Sequence, residues 1–194
     1  MLSISDLADA INNAIGAIDG DGNPINTTPE MTAYATAIVN TLQAAVLNNA
    51  PGTVTATGTQ APPPTGVTDG AASNGLITLN SAVWQAALTS GFPTADPGKL
   101  SVESSASTGY LMGSSTVSFA SGNITGICTA TAQSPGNLSN GAGSNGTLDG
   151  PSGNPWASAV TGSQGLPSSA VAQAIYAACS DYIKNNVVAA YPQG

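Results

Sequence analysis

The chain has 194 residues, with ten acidic side chains, two lysines, no arginine and no histidine, for a formal net charge of −8. This composition removes the imidazole that acts as a general base near neutral pH and the guanidinium that clamps phosphates and carboxylates. An acidic chain of this kind repels nucleic acid and anionic lipid, so neither a nucleic-acid nor a membrane partner is expected.

The length suits one domain or two small ones. Charged residues make up 6% of the chain, against about 25% in an average soluble domain, and Ser, Thr, Asn and Gln carry the polarity instead. Such a surface costs little to desolvate and lacks the charged coat that keeps monomers apart, which favours repeated burial in an assembly. Cys128 lies in a strand-like run and Cys179 on a helix-like face; two buried free thiols are expected over a disulfide. The opening Met1-Leu2-Ser3-Ile4-Ser5-Asp6 has no basic stretch and no long apolar run, so it does not read as a secretory signal. No stretch reaches the ~18 consecutive apolar residues of a membrane span.

Ile4, Leu7, Ile11, Ile15 and Ile18 recur at spacings of three and four and predict a first amphipathic helix. Ser3 or Ser5 caps it, Asp6 and Asp9 suit its N-terminal dipole, and Asp19-Gly20-Asp21-Gly22-Asn23-Pro24 stops it. Thr28-Pro29-Glu30 opens a second helix, with Thr28 as N-cap and proline in the first turn. Its apolar face is Met31, Tyr34, Ala35, Ile38, Leu42, Ala45 and Val46, and the short turn predicts an antiparallel hairpin of the two helices. A Thr/Val-rich strand follows over 53–59. Residues 60–75 read as a Pro/Gly-rich linker. A short helix is expected over 80–90, carrying Val83, Trp84, Ala87 and Leu88, while 94–115 fits helix, loop or short strand equally. Thr116 to Ala120 and Ile124 to Thr129, joined by Ser121-Gly122-Asn123, predict a β-hairpin. Residues 134–165 have almost no large apolar side chains and read as a Gly/Ser/Asn-rich loop. A final helix spans 167–186, with Val171, Ile175, Ala178, Cys179, Tyr182 and Ile183 on one side and Lys184 near its negative end.

The expected fold class is α+β. The expected organisation is a helical hairpin plus short strand over 1–59, the linker over 60–75, mixed helix and β-hairpin over 76–133, the loop over 134–165, and the C-terminal helix over 166–194. Ile11, Ile15, Ile38, Leu42, Val171 and Ile175 are expected to share one core. The regions 60–75 and 134–165 are expected to gain their order from neighbouring subunits, because they are poor in apolar residues.

Candidate sites are few. Asp19, Asp21, Asn23 and Glu30 occupy positions 1, 3, 5 and 12 of a calcium-loop spacing, but Pro24 stands where that loop requires glycine, so an Asp/Gly/Asn/Pro turn fits better. No Gly-x-Ser-x-Gly elbow occurs, and Lys99 and Lys184 read as solvated surface charges. Two separated cysteines without histidine make no zinc site. Trp84, Trp156, Tyr110, Tyr176, Tyr182 and Tyr191 read as core or rim contacts over interface or carbohydrate anchors. No catalytic, cofactor-binding or metal-ligating residue is assigned.

A resemblance rests on Ala35-Thr36-Ala37-Ile38-Val39-Asn40-Thr41-Leu42 followed by Gly52-Thr53-Val54-Thr55-Ala56-Thr57-Gly58, on the exit Ala132-Gln133-Ser134-Pro135-Gly136, and on the run Gly141-Ala142-Gly143-Ser144-Asn145-Gly146-Thr147. These segments, about half the chain, look like small virion structural proteins of tailed bacteriophages. The resemblance implies a non-enzymatic part of the virion in the tail, neck, baseplate or capsid surface, present in many copies and bound to other virion proteins. It carries over no functional residue. A surface adhesin or carbohydrate-binding module is the alternative from a different class.

Overall fold

The computed structural model describes residues 2–16, 28–48, 54–55, 66–128, 138–163, 165, 167, 169–186 and 188–192. Among these described residues six helices and six strands follow in the order α1 (Ile4–Ile15), α2 (Pro29–Gln43), β1 (Val46–Asn48), β2 (Val54–Thr55), β3 (Gly66–Thr78), α3 (Ser81–Gly91), α4 (Pro97–Ser114), β4 (Thr116–Cys128), β5 (Leu138–Asp149), α5 (Gly153–Gly162), α6 (Ser169–Asn185) and β6 (Val188–Pro192). The class is α+β, a packed helical body joined to an antiparallel sheet.

α1, α2, α3 and α4 begin where side-chain oxygens replace missing backbone partners. Ser3 Oγ accepts from Asp6 N at 3.3 Å and Thr28 Oγ1 from Met31 N at 3.4 Å. Asn80 Oδ1 accepts from Ala82 N at 2.9 Å and Asp96 Oδ1 from Gly98 N at 2.7 Å. Pro29 and Pro97 sit in the first turns of α2 and α4, where no N–H is missed. α1 is shorter than its isoleucine pattern: it ends at Gly16 in the left-handed region, φ 66°, and Ile18 and the expected stop at 19–24 lie outside the described residues. α2 also ends early, so Ala45 and Val46 leave the helix and Val46 opens β1.

α1 packs on both α2 and α6, so the first two helices and the last do share one body. Tyr182 on α6 fastens the chain start: its hydroxyl donates to Ser3 O at 3.1 Å and accepts from Ser3 N at 2.7 Å. Ile11, Ile38, Leu42 and Ile175 are buried together, whereas Ile15 and Val171 are only partly buried at the edge of that core. The core also takes in Leu7, Leu88, Leu100, Leu111, Val160 and Ile183, and its largest fully buried side chains are Trp84, Trp156 and Tyr176.

The sheet has the order β1-β3-β4-β5-β6, with β2 also paired to β3, and every pairing is antiparallel. β4 is one strand, not a hairpin. The expected turn Ser121-Gly122-Asn123 lies within it, at a register break: β3 advances only from Ala72 to Gly70 while β4 runs from Phe119 to Ile124. The Gly-Asn signal is satisfied by a bulge, which also needs a residue free of ladder pairing. The linker and the loop are corrected in the same way. Residues 66–75 belong to β3, and 134–165 contains β5 and α5. Within the chain, residues 66–75 pair as part of β3 and 138–149 as β5. Of the strand expected over 53–59, only Val54–Thr55 is described, and residues 60–65 and 129–137 lie outside the described residues. The ambiguous 94–115 is mostly α4.

α5 comes close to α6 at Gly153. A Cβ there would stand 2.4 Å from Ala177 Cα and 2.6 Å from Ala177 N, backbone atoms that cannot turn aside. Gly153→Ala is therefore expected to destabilise the protein by about 1–3 kcal/mol. Gly109, in α4, has nothing within 4 Å of its would-be Cβ, so Gly109→Ala is expected to stabilise by about 0.5–1 kcal/mol. Denaturant melts of the two variants, which should move in opposite directions, check this packing.

Candidate functional site

The least ordinary group of the described residues is Glu103, in the middle of α4 and 0% exposed. Three neutral donors converge on its carboxylate. Trp84 Nε1 on α3 donates to Oε2 at 2.8 Å. Tyr176 on α6 donates its hydroxyl to Oε1 at 2.6 Å. Ser107, one turn along α4, donates to Oε1 at 2.8 Å. Ser107 Oγ in turn accepts from Trp156 Nε1 on α5 at 3.0 Å. One carboxylate thus ties together α3, α4, α5 and α6.

Aromatic rings wall this network. Trp156 stacks on Tyr176 with centroids 4.7 Å apart and on Tyr110 at 5.8 Å. Trp84 lies tilted against Trp156 at 6.0 Å. Tyr34 on α2 meets Tyr176 edge-on at 6.3 Å and Phe92 at 5.5 Å. Such offset and edge-to-face pairs add to the burial of each ring. Tyr110 also reaches the start of α5, its hydroxyl donating to Ser152 O at 3.1 Å and accepting from Ser152 N at 2.9 Å.

Among the described residues no cation balances the carboxylate: Lys99 and Lys184 are both exposed. Burial pushes Glu103 up from the usual 4.5 to about 7, against the pull of the bonds from Tyr176, Ser107 and Trp84. Burial also raises the Tyr34 and Tyr176 hydroxyls and the Cys179 thiol, each helped by the Glu103 charge. Cys179 is a free, buried thiol; Cys128 sits at the end of β4, opposite Leu138. The Tyr34 hydroxyl is buried with no hydrogen-bond partner.

An apolar cleft of about 260 Å³ borders this core, lined by Ile15, Met31, Tyr34, Phe92, Val171 and Ile175, with Glu30 beside them. Among the described residues, the surface that lines the space is apolar. Glu103 is sealed behind the rings, so nothing from solvent touches the carboxylate unless the helices part. The arrangement is suited to holding helices and storing or releasing one proton.

Of the residues read from the sequence, Trp84, Trp156 and Tyr176 are core residues of one cluster, and Tyr110 and Tyr182 are half-buried at its margins. The side chain of Tyr191, and Asp19, Asp21 and Asn23 of the calcium-loop spacing, lie outside the described residues; Glu30 is exposed on the first turn of α2. Sequence reasoning missed Glu103. The available signal was a lone acid amid Ser and Thr, four residues before Ser107, in a segment without a clear apolar stripe. No known protein family, curated protein or solved structure matches the chain.

Removing one donor leaves the buried carboxylate less satisfied. Tyr176→Phe is expected to cost about 1–3 kcal/mol of stability while leaving the fold intact. In the native protein Cys179 should resist a thiol reagent until denaturant is added. Urea melts and thiol titration read the two outcomes.

Proposed function

We propose that the chain is a non-enzymatic structural subunit that assembles with other proteins and with copies of itself, and that the assembly is a tailed-bacteriophage virion, in its tail, neck or baseplate. The observation that carries the assembly reading is the sheet. From Ser104 to Leu148 there is not one charged residue, and β4 and most of β5 lie in that stretch. Over all six strands the only charges are Asp69 in β3 and Asp149 at the end of β5.

A strand of 13 residues, such as β3 or β4, spans roughly 40 Å; α4, with 18 residues the longest helix, spans about 27 Å. The sheet meets the helices chiefly where α4 touches β3, α6 touches β5 and α2 touches β6. Proteins that live as monomers blunt long strand edges with lysine, bulges, proline or cover. Here the strands hold no lysine. Bulges interrupt β3 and β4, and Pro192 ends β6. A neutral Gly/Ser/Thr/Asn sheet loses little on leaving water, which suits burial against other subunits. The virion identity rests on the segmental resemblance to small phage structural proteins.

Two measurements test this. Labelled full-length chain should co-sediment with tailed particles, and antibodies against it should decorate them; a chain found only on cell surfaces, or binding glycans on an array, would put the adhesin reading in its place. Ala190→Lys places a charge in β6, opposite Ser144 of β5. If the chain self-associates through this edge, the variant should shift its sedimentation-velocity profile toward monomer without changing the melt of the helical body; an unshifted profile would remove the β6 edge from the interface.

A further inference from the structure

The four helices joined by Glu103 are also the roots of the four longer edge-to-edge strands. β3 leads into α3, α4 leads through Ser115 into β4, β5 leads into α5, and α6 leads into β6. We propose that Glu103 is a proton-operated joint: with a proton bound, it locks α3, α4, α5 and α6 together, and on losing that proton it loosens them and with them the base of the sheet.

The geometry provides two hydrogen-bond arrangements on the same heavy atoms. With the carboxylate ionised, Ser107 and Tyr176 donate to Oε1 and Trp84 to Oε2, as the distances above fit. With a proton on Oε1, that proton is donated to Ser107 Oγ, whose second lone pair remains beside the one used by Trp156 Nε1. The Ser107 hydroxyl then turns to the carbonyl one turn back, as Ser104, Thr108 and Ser114 do in the same helix at 2.6–2.7 Å. Trp84 keeps its bond to Oε2, since an indole N–H only donates. The proton comes from water and returns to water; no bond other than O–H forms or breaks.

What decides between the two forms is the absence of compensation. The titratable groups facing Glu103 are Tyr34 from α2 and Tyr176 and Cys179 from α6, all held neutral by burial in the range where Glu103 titrates. α3 presents Trp84 and α5 presents Trp156, neither titratable. From the segment after α5, Gly165 lies so close that a Cβ on it would stand 2.9 Å from Glu103 Cα. An ionised carboxylate here has three dipoles and no counter-charge, a state that strongly favours a proton or an opened core.

The sign follows from linkage. The folded value, about 7, lies above the ordinary 4.5. The contribution is therefore fully present below about pH 4.5, declines as the pH rises, and is lost above about 7. The folding constant attributable to this group falls on the order of a hundredfold across that window.

The experiment compares urea melts of the full chain and Glu103→Gln between about pH 5 and 8.5. The amide keeps the shape and cannot ionise. The wild type is expected to lose stability with rising pH relative to the variant, whose profile should be flatter; parallel profiles would overturn the proposal. Should Glu103→Gln fail to fold, the wild type carries the test through its two tryptophans, both of which bond into the network. Their emission should follow a one-proton transition near neutral pH, and Tyr176→Phe, which removes a donor to the ionised form, should move its midpoint upward. A flat emission or an unmoved midpoint would overturn the proposal. Amide exchange at Ser115–Val117 and Leu148–Gly150, corrected for intrinsic rates, should quicken over the same transition; constant exchange there would break the link to the sheet.

Discussion

A buried carboxylate without a cation must be held by neutral donors, and the position of those donors then fixes the elements that carry them. At Glu103 this constraint shapes the whole helical body. Trp84, Tyr176 and, through Ser107, Trp156 each come from a different helix, and each has one polar atom that must find a partner once its ring is buried. An apolar residue at 103 would leave the Trp84 indole and the Tyr176 and Ser107 hydroxyls to be satisfied elsewhere. The acid gives them a common acceptor at 2.6–2.8 Å, which bare burial of the same groups would lack. The donors fit one mutual placement of α3, α4, α5 and α6, which a purely apolar contact would define less sharply.

The same solution explains why α4 was hidden in the sequence. Its buried face is Leu100, Glu103, Ser104, Ser107, Thr108 and Leu111, a helical stripe in spacing but not in hydrophobicity. Pattern reading looks for apolar residues at those steps, and Ser, Thr and Gly rank low as helix formers. Inside the body the hydroxyls cost little, because Ser104 and Thr108 bond the carbonyl one turn back and Ser107 bonds Glu103. α1, α2 and α6 were legible because their core residues are aliphatic or alanine and their caps are local: Ser3 and Thr28 act within three residues of themselves. The polar cluster was not legible, since its members lie 19, 49 and 73 residues apart along the chain. Residue types alone showed three large aromatics but not that they surround one acid.

The strands failed to stand out for a different reason. Leu138 to Asp149 reads LSNGAGSNGTLD, with low β-propensity and no alternation, so nothing local favours a strand. Its extended form comes from pairing with β4 on one side and β6 on the other, contacts that no window of sequence contains. Where strands enter the helical body the ordinary signals return: Ile77, Val117 and Leu148 are buried there, and Val117 pairs with Leu148 in the register.

The resulting molecule divides its chemistry unevenly. The helical body carries most of the described charges, on exposed turns such as Asp6, Glu30 and Asp181, and hides one acid at its centre. The strands that leave it are almost neutral. A sheet this rich in glycine and small polar residues brings little apolar area of its own, and its bulged pairings with β3 and β5 around Phe119–Ile124 interrupt the ladder. Its geometry must then be set at its base, by the helices that begin and end its strands. Those helices are the ones that Glu103 holds. The short connections at Leu79–Asn80, Ser115, Gly150–Ser152 and Asn186 are the route by which the proposed joint would act on β3, β4, β5 and β6. On the proposed assembly reading, a single acid in the core would then sit at the base of the sheet that faces other subunits.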